Sequence, residues 1–378
     1  MLQNLVTFIQ ENMSALRATL KELCLIPAPS LFEDVRAAYC KAWLEGIGAK
    51  GVYIDEAKNV IYPHNCEGSS AITVVVAHTD TVFPDREPMP YREENGRIYC
   101  PGVGDDTASL VVMMYAVKYM LENDIRPAGG ILFVANSCEE GLGNLLGTRT
   151  VMQAYKGRVR QFVSLDSHIL QIADTCVGSH RYEVETLTEG GHSYLDFGNR
   201  SAMLSLAEMI SAIYAIPIPQ KEGKKTTVNV GIVESGTSVN TIPQSAKMLC
   251  EYRSDDVEAL TYMEGQFARI FAEADCEHTR VRVTRVGDRP CAGKVNVAEL
   301  DRLRNTCRTL IEEITGGSVE FESSSTDCNI PLSLGIPAIC IGVYDGGGTH
   351  TREEYIEAAS LPTGLAIAVK ALCKLTEV

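Results

Sequence analysis

Apolar positions recur with a helical period along residues 1–25, and the pattern stops at Ile26-Pro27-Ala28-Pro29, where proline breaks it. From there to about residue 176, short apolar runs alternate with helical patterns. Ala71–Ala77, Gly130–Ala135 and Gln161–Leu165 read as buried strands, and Thr107–Asn123 and Leu145–Tyr155 read as helices. This alternation predicts βαβ units on a mostly parallel sheet flanked by helices. The texture changes near Gly178. His180–Thr188 alternates as a half-buried strand and Arg200–Ala215 reads as a helix. Strands over Thr226–Val233 and Ala246–Arg253, a helix over Asp256–Ala274 and a strand near Arg280–Val286 follow. That order is the split βαββαβ unit of ferredoxin-like folds. After Pro290 the first texture resumes, with a helix over Val297–Thr315, a strand near Ala338–Gly342 and a closing helix from Leu361. The expected architecture is therefore an α/β domain over 1–177 and 290–378, interrupted by an α+β domain over 178–289.

Chemistry gathers where these runs end. Ala71–Ala77 delivers His78-Thr79-Asp80, whose imidazole and carboxylate are two residues apart and point to one side of an extended chain. Pro101-Gly102-Val103-Gly104-Asp105-Asp106 places an aspartate pair in a glycine-rich turn before a helix, where capping is the competing reading. Ile131–Ala135 leads to Glu139-Glu140-Gly141, Phe162–Leu165 ends in Asp166, and the late strand runs into Gly346-Gly347-Gly348-Thr349-His350. Open α/β sheets place their ligands at such strand ends. Two imidazoles and several carboxylates suit zinc or a similar divalent ion. They exceed what one ion needs, whereas two ions bridged by a carboxylate would use the whole set.

The net charge of −15 argues against nucleic acid or an anionic membrane surface as partner. Thirteen cysteines, odd in number and without a Cys-x-x-Cys pair, read as small buried residues in a reducing compartment. The first residues lack the basic and apolar regions of a secretory signal, and no run approaches ~20 apolar residues, so a cytoplasmic protein is expected.

Taken in order, these motifs resemble the dinuclear zinc exopeptidases and deacylases that include carboxypeptidase G, peptidase T, aminoacylase, acetylornithine deacetylase and succinyl-diaminopimelate desuccinylase. The resemblance spans essentially the whole chain. It implies His78, Asp105, Glu140, Asp166 and His350 as metal ligands, with Asp105 bridging two ions, zinc first and Co²⁺ or Mn²⁺ as alternatives. Asp106 is the other candidate for the bridge, because the lysine usual two places after that aspartate is Thr107 here. Asp80 becomes the carboxylate behind His78, and Glu139 the general base. Gly190-Gly191-His192 resembles the segment whose histidine helps hold an oxyanion in the partner subunit. Gly236–Pro243 implies that Asn240 touches substrate. Arg253 matches an arginine that binds a substrate carboxylate, with a strand-end salt bridge as the alternative; Gly347 and Gly348 are further substrate-contact candidates. The family's first domain is catalytic and its inserted domain is a lid that usually dimerises. The implied activity is hydrolysis of an amide bond in a small peptide or an N-acyl amino acid, with an exopeptidase favoured over a deacylase. Two other readings are a Cys138-based hydrolase and a non-catalytic metal-binding scaffold.

Overall fold

A computed structural model of the protein describes residues 2–376. The chain divides into two compact units, Met1–Cys176 with Ala292–Val378, and Val177–Cys291.

The first unit is built on an eight-stranded sheet. Its order is Tyr53–Ile54, Val60–His64, Ile131–Asn136, Ile72–His78, Val159–Ser164, Ala338–Ile341, Gln171–Cys176 and Glu320–Ser324. Four of the seven neighbouring pairs are parallel and three antiparallel. The central strand Ile72–His78 is buried at every position. Its side chains divide by the two-residue period of a strand: Val75 and Ala77 enter one core, while Ile72, Val74 and Val76 enter the core on the other face. Ile131–Asn136 divides the same way. Each Val, Ile, Leu or Phe among them contributes about 1.5–3 kcal/mol through burial, which explains why a continuous apolar run becomes a central strand.

The helix expected from Thr107 begins at Ser109 and runs to Glu122. Asp105 and Asp106 leave helical geometry, with φ/ψ of −97°/93° and −125°/22°, so the turn that carries the acids lies outside the helix. The closing helix Leu361–Thr376 is apolar on nearly all sides. With the preceding turn, Ala358–Thr376 is long and apolar enough to match a membrane span, which corrects the expectation that no segment reaches that size. Over half of it is buried, and Leu361, Leu365, Ile367 and Leu372 lie in the core. It is read as a core helix. A four-stranded sheet of Gly346–Gly347, Tyr355–Glu357, Arg97–Tyr99 and Arg92–Glu94 carries the glycine segment.

The second unit is a four-stranded antiparallel sheet in the order Thr226–Ser235, Ser245–Ser254, Gly178–Leu187, Arg280–Arg289. Helices Ala202–Tyr214 and Val257–Ala274 pack on it through Leu206, Met209, Leu260, Met263 and Phe267. Each helix begins at a capping side chain: Ser201 accepts from Leu204 N–H, and Asp256 from Ala259 N–H. This is the ferredoxin-like order expected from the pattern. All thirteen cysteines are free thiols, and the eleven that are buried serve as small apolar residues.

Candidate metal centre

Three of the candidate ligand segments leave adjacent parallel strands at their C-terminal ends. Ile131–Asn136 leads to Glu139 and Glu140, Ile72–His78 ends in His78, and Val159–Ser164 leads to Asp166. The fourth, Ala338–Ile341, lies next in the sheet and leads to His350. Asp105 enters from the turn before Ser109. Ligand atoms of His78, Asp105 and Asp166 lie within 4.8 Å of one another, as do those of His78, Glu139 and Glu140, and those of Asp105, Glu140 and His350.

Asp105 stands between the histidines. One carboxylate oxygen is 2.9 Å from His78 Nε2, and the other is 3.0 Å from His350 Nε2. Glu140 Oε1 lies 3.1 Å from the same His350 nitrogen. Asp106 faces elsewhere: its Oδ2 accepts the backbone N–H of His78 at 2.9 Å. The peptide between the two aspartates is cis.

Asp80 holds more than the imidazole. Its main-chain carbonyl accepts the His78 Nδ1 proton at 3.0 Å, while its carboxylate is 3.5 Å from that nitrogen. The carboxylate instead accepts Glu139 N–H at 3.0 Å, Glu140 N–H at 2.9 Å and the Ser30 hydroxyl at 2.6 Å. One buried side chain thus fixes the turn that carries both glutamates.

These contacts set the demand for positive charge. With its Nδ1 proton committed to a carbonyl, His78 turns an Nε2 lone pair toward Asp105, which is satisfied only by a proton or a metal ion. Without an ion, burial disfavours the charged ring, yet hydrogen bonds to Asp105 and Asp80 hold the His78 pKa well above its usual value. Asp105 and Glu140 raise His350 to about 10. Burial and then the Asp105 charge push Glu140 up to about 7 and Asp166 well above the carboxylate range. Burial opposes the charge of Asp105, and its two histidines override that and hold it low. The residues fit a pair of divalent cations: imidazole and carboxylate donors surround the Asp105 carboxylate, and bound cations would neutralise the excess of acids.

His192 and Asn240 come together in the second unit, where His192 pairs with Thr241 and Ser193 N–H donates to the Asn240 carbonyl at 2.9 Å. His192 Nδ1 accepts from Tyr194 N–H at 3.2 Å and Leu195 N–H at 3.4 Å, so the neutral ring carries its proton on Nε2. Arg253 directs its guanidinium to Glu251, at 2.7 and 3.1 Å, which is the salt-bridge alternative. Gly347 lies in the small sheet and Gly348 follows it with φ +72°. Cys138 is buried, its thiol directed to Glu33 Oε1 at 3.3 Å, and burial together with Glu33 pushes it up to about 12. A thiol kept protonated is a poor nucleophile, and the Cys138 hydrolase reading falls.

Sequence reasoning missed three buried groups behind the ligands. Arg36 is fully buried and donates to the carbonyls of Ile26 and Thr79 and to the Thr107 hydroxyl. Asp327 accepts from Asn136 Nδ2 at 2.6 Å and the Thr148 hydroxyl at 2.5 Å, and burial with the Glu139 charge raises it to about 7. Glu354, four residues after His350, accepts three backbone N–H groups. None carries a local signal, because each is an ordinary charged residue in a mixed segment.

A fold with its chemistry at adjacent parallel strand ends, and a donor set suited to two cations, defines a metallohydrolase class. Comparison with known proteins gives the family. Residues 74–374 match the family described as Peptidase family M20/M25/M40, and the chain belongs to it. Its members hydrolyse peptide or acyl-amino acid amide bonds with metal ions, and so this protein is a metal-dependent amide hydrolase. It is 24% identical to an acetylornithine deacetylase of Myxococcus xanthus, covering 96% of this chain and 98% of that one. It is also 24% identical to carboxypeptidase G2 of a Pseudomonas species, covering 88% and 85%. Its fold resembles that of aminopeptidase PepT from Bacillus cereus, with TM-score 0.72, 21% identity and coverage of 97% and 99%. It likewise resembles the dipeptidase Dug1p of Saccharomyces cerevisiae, with TM-score 0.76, 14% identity and coverage of 100% and 99%.

Proposed function

We propose that the protein is a two-metal exopeptidase acting on short peptides. His78, Asp105 and Asp166 hold one ion; Asp105, Glu140 and His350 hold the other. The observation that carries this reading is the Asp105 carboxylate, with one oxygen on each histidine. It also favours Asp105 over Asp106 as the bridge. Imidazole and carboxylate donors make Zn²⁺ the first choice, with Co²⁺ or Mn²⁺ as substitutes.

A bound pair of divalent ions supplies Lewis acidity and makes water a nucleophile near neutral pH. Glu139, on the turn held by Asp80, takes the proton of the attacking water and returns it to the departing amine. His192 presents an Nε2 proton, the form needed to hydrogen-bond a developing oxyanion. In this reading Asn240, Gly347 and Gly348 contact substrate, and Arg253 does so by exchanging Glu251 for a substrate carboxylate. The second unit acts as a lid and as the interface of a homodimer, and the thirteen free thiols suit the cytoplasm.

A second reading, an N-acyl amino acid deacylase, is favoured by the near full-length similarity to an acetylornithine deacetylase. Metal analysis of the purified protein, followed by di- and tripeptides and N-acyl amino acids assayed with and without EDTA, separates the two. Metal-dependent release of amino acids from peptides supports the exopeptidase; cleavage confined to N-acyl substrates replaces it with the deacylase. A metal-free protein inert on both sets sinks both in favour of a scaffold. Glu139→Gln should retain both ions and lose turnover by roughly 10²–10⁴-fold, the usual weight of a general base. A variant with wild-type kcat would remove Glu139 from that role.

A further inference from the structure

We propose that Glu354 is the positioning residue for the bridging carboxylate, tying the segment that delivers His350 to the turn that delivers Asp105. The inference rests on the two-ion reading above and assigns the support of its central ligand.

Glu354 is 1% exposed, and both its oxygens are engaged. Oε2 accepts Gly102 N–H at 2.8 Å; Oε1 accepts Gly104 N–H at 2.8 Å and Asp105 N–H at 2.9 Å. Its main-chain carbonyl accepts Cys100 N–H at 3.2 Å. Three backbone donors converging in an irregular turn form an anion-binding concavity, and the chain fills it with its own carboxylate.

The turn is shaped to present those donors. Gly102 has φ +76°, and a Cβ there would sit 2.5 Å from Thr81 Cγ2; a Cβ on Gly104 would meet the Tyr344 ring at 2.7 Å. Any side chain would displace the N–H groups from Glu354. Strand Tyr355–Glu357, directly after Glu354, pairs with Arg97–Tyr99, directly before the turn. His350 Nε2 reaches back to Asp105 Oδ2 at 3.0 Å. The path from Asp105 through His350 and along the chain to Glu354 therefore closes on the Asp105 N–H. Loosening Glu354 frees Asp105 to move relative to both histidines, whereas a purely structural acid would affect stability alone. Groups that orient metal ligands typically matter by about 10–100-fold in metal affinity or activity.

The test is a chelator-competition titration of the metal-stripped protein with Zn²⁺, comparing wild type, Glu354→Gln and Leu16→Ala. Leu16 lies in the core on the N-terminal helix and is fully buried; its truncation lowers the melting temperature while leaving the three hydrogen bonds of Glu354 in place. Wild type should bind two ions. Glu354→Gln should lose roughly 10–100-fold in affinity for at least one ion, with kcat falling similarly and KM little changed. Leu16→Ala should melt early and bind both ions normally. If Glu354→Gln does not fold, Glu354→Asp, which keeps the charge with a shorter reach, should show a smaller loss in the same titration. Wild-type affinity for both ions in a folded Glu354 variant overturns the proposal. A wild-type protein that binds fewer than two ions overturns the two-ion reading and this inference with it, and that failure is recognised because it needs no mutation.

Discussion

Asp80→Ala tests whether that carboxylate serves the imidazole or the glutamate turn. The substitution removes the acceptor of two buried N–H groups, Glu139 at 3.0 Å and Glu140 at 2.9 Å. Each unsatisfied buried donor costs about 1–3 kcal/mol. The Ser30 hydroxyl is not orphaned, because the Glu140 carbonyl lies 3.3 Å from it. His78 keeps its Nδ1 bond to the Asp80 main-chain carbonyl at 3.0 Å, so the imidazole stays oriented. The sum is about 2–6 kcal/mol, which at about 2–4 °C per kcal/mol lowers the melting temperature by roughly 4–24 °C. Activity should fall further than stability suggests, since a general base displaced by about 1 Å can cost 10²-fold. The assay pairs calorimetry with steady-state kinetics on whichever substrate is cleaved, and adds Ser30→Ala. Losing the serine removes one hydrogen bond and leaves the turn held, so its effect should stay within about 0.5–1.5 kcal/mol. An Asp80→Ala protein that melts within 2 °C of wild type and keeps kcat within about threefold would refute the assignment, as those margins lie below the ranges above.

Metal-stripped protein should lose melting temperature as pH rises. His350 is raised to about 10, so its stabilising contribution is complete below its ordinary value of 6.5 and is lost as pH approaches 10. Glu140, raised to about 7 from 4.5, adds a loss of the same sign between those values, because the folded state holds its proton more tightly. Differential scanning at pH 5 to 10 with EDTA should show the decline, and Zn²⁺ should flatten it; a melting temperature that rises across this range would contradict the charge arrangement. In the second unit, Phe267 is fully buried against Tyr182, Tyr252 and Phe271. Phe267→Ala should destabilise that unit by about 3–5 kcal/mol, and denaturant unfolding with an unchanged midpoint would show that this aromatic cluster is not its core.

What the sequence made readable follows from how many positions carry one constraint. Ile72–His78 is buried on both faces, so every residue repeats the same message and the run stands out; the βαββαβ order of the second unit is carried similarly by alternation over ten-residue strands. Strand ends bearing His78, Glu139, Glu140 and Asp166 were visible because each run pointed at its ligand. Val60–His64 escaped because Pro63 removes a ladder donor. Gln171–Cys176 and Glu320–Ser324 escaped because they are polar, the latter lying exposed at the sheet edge. Asp105 and Asp106 look alike in sequence, and only the turn geometry sends one to the two histidines and the other to a backbone N–H. Glu353 and Glu354 make the same point. The first pairs with Arg92 on the surface, while the second is buried beneath three N–H groups contributed by residues about 250 positions earlier. Ligands can be read from strand patterns because each follows its own strand within a few residues of sequence. The groups that aim those ligands are fixed by contacts across the whole chain, so their identity emerges only when the fold brings the segments together.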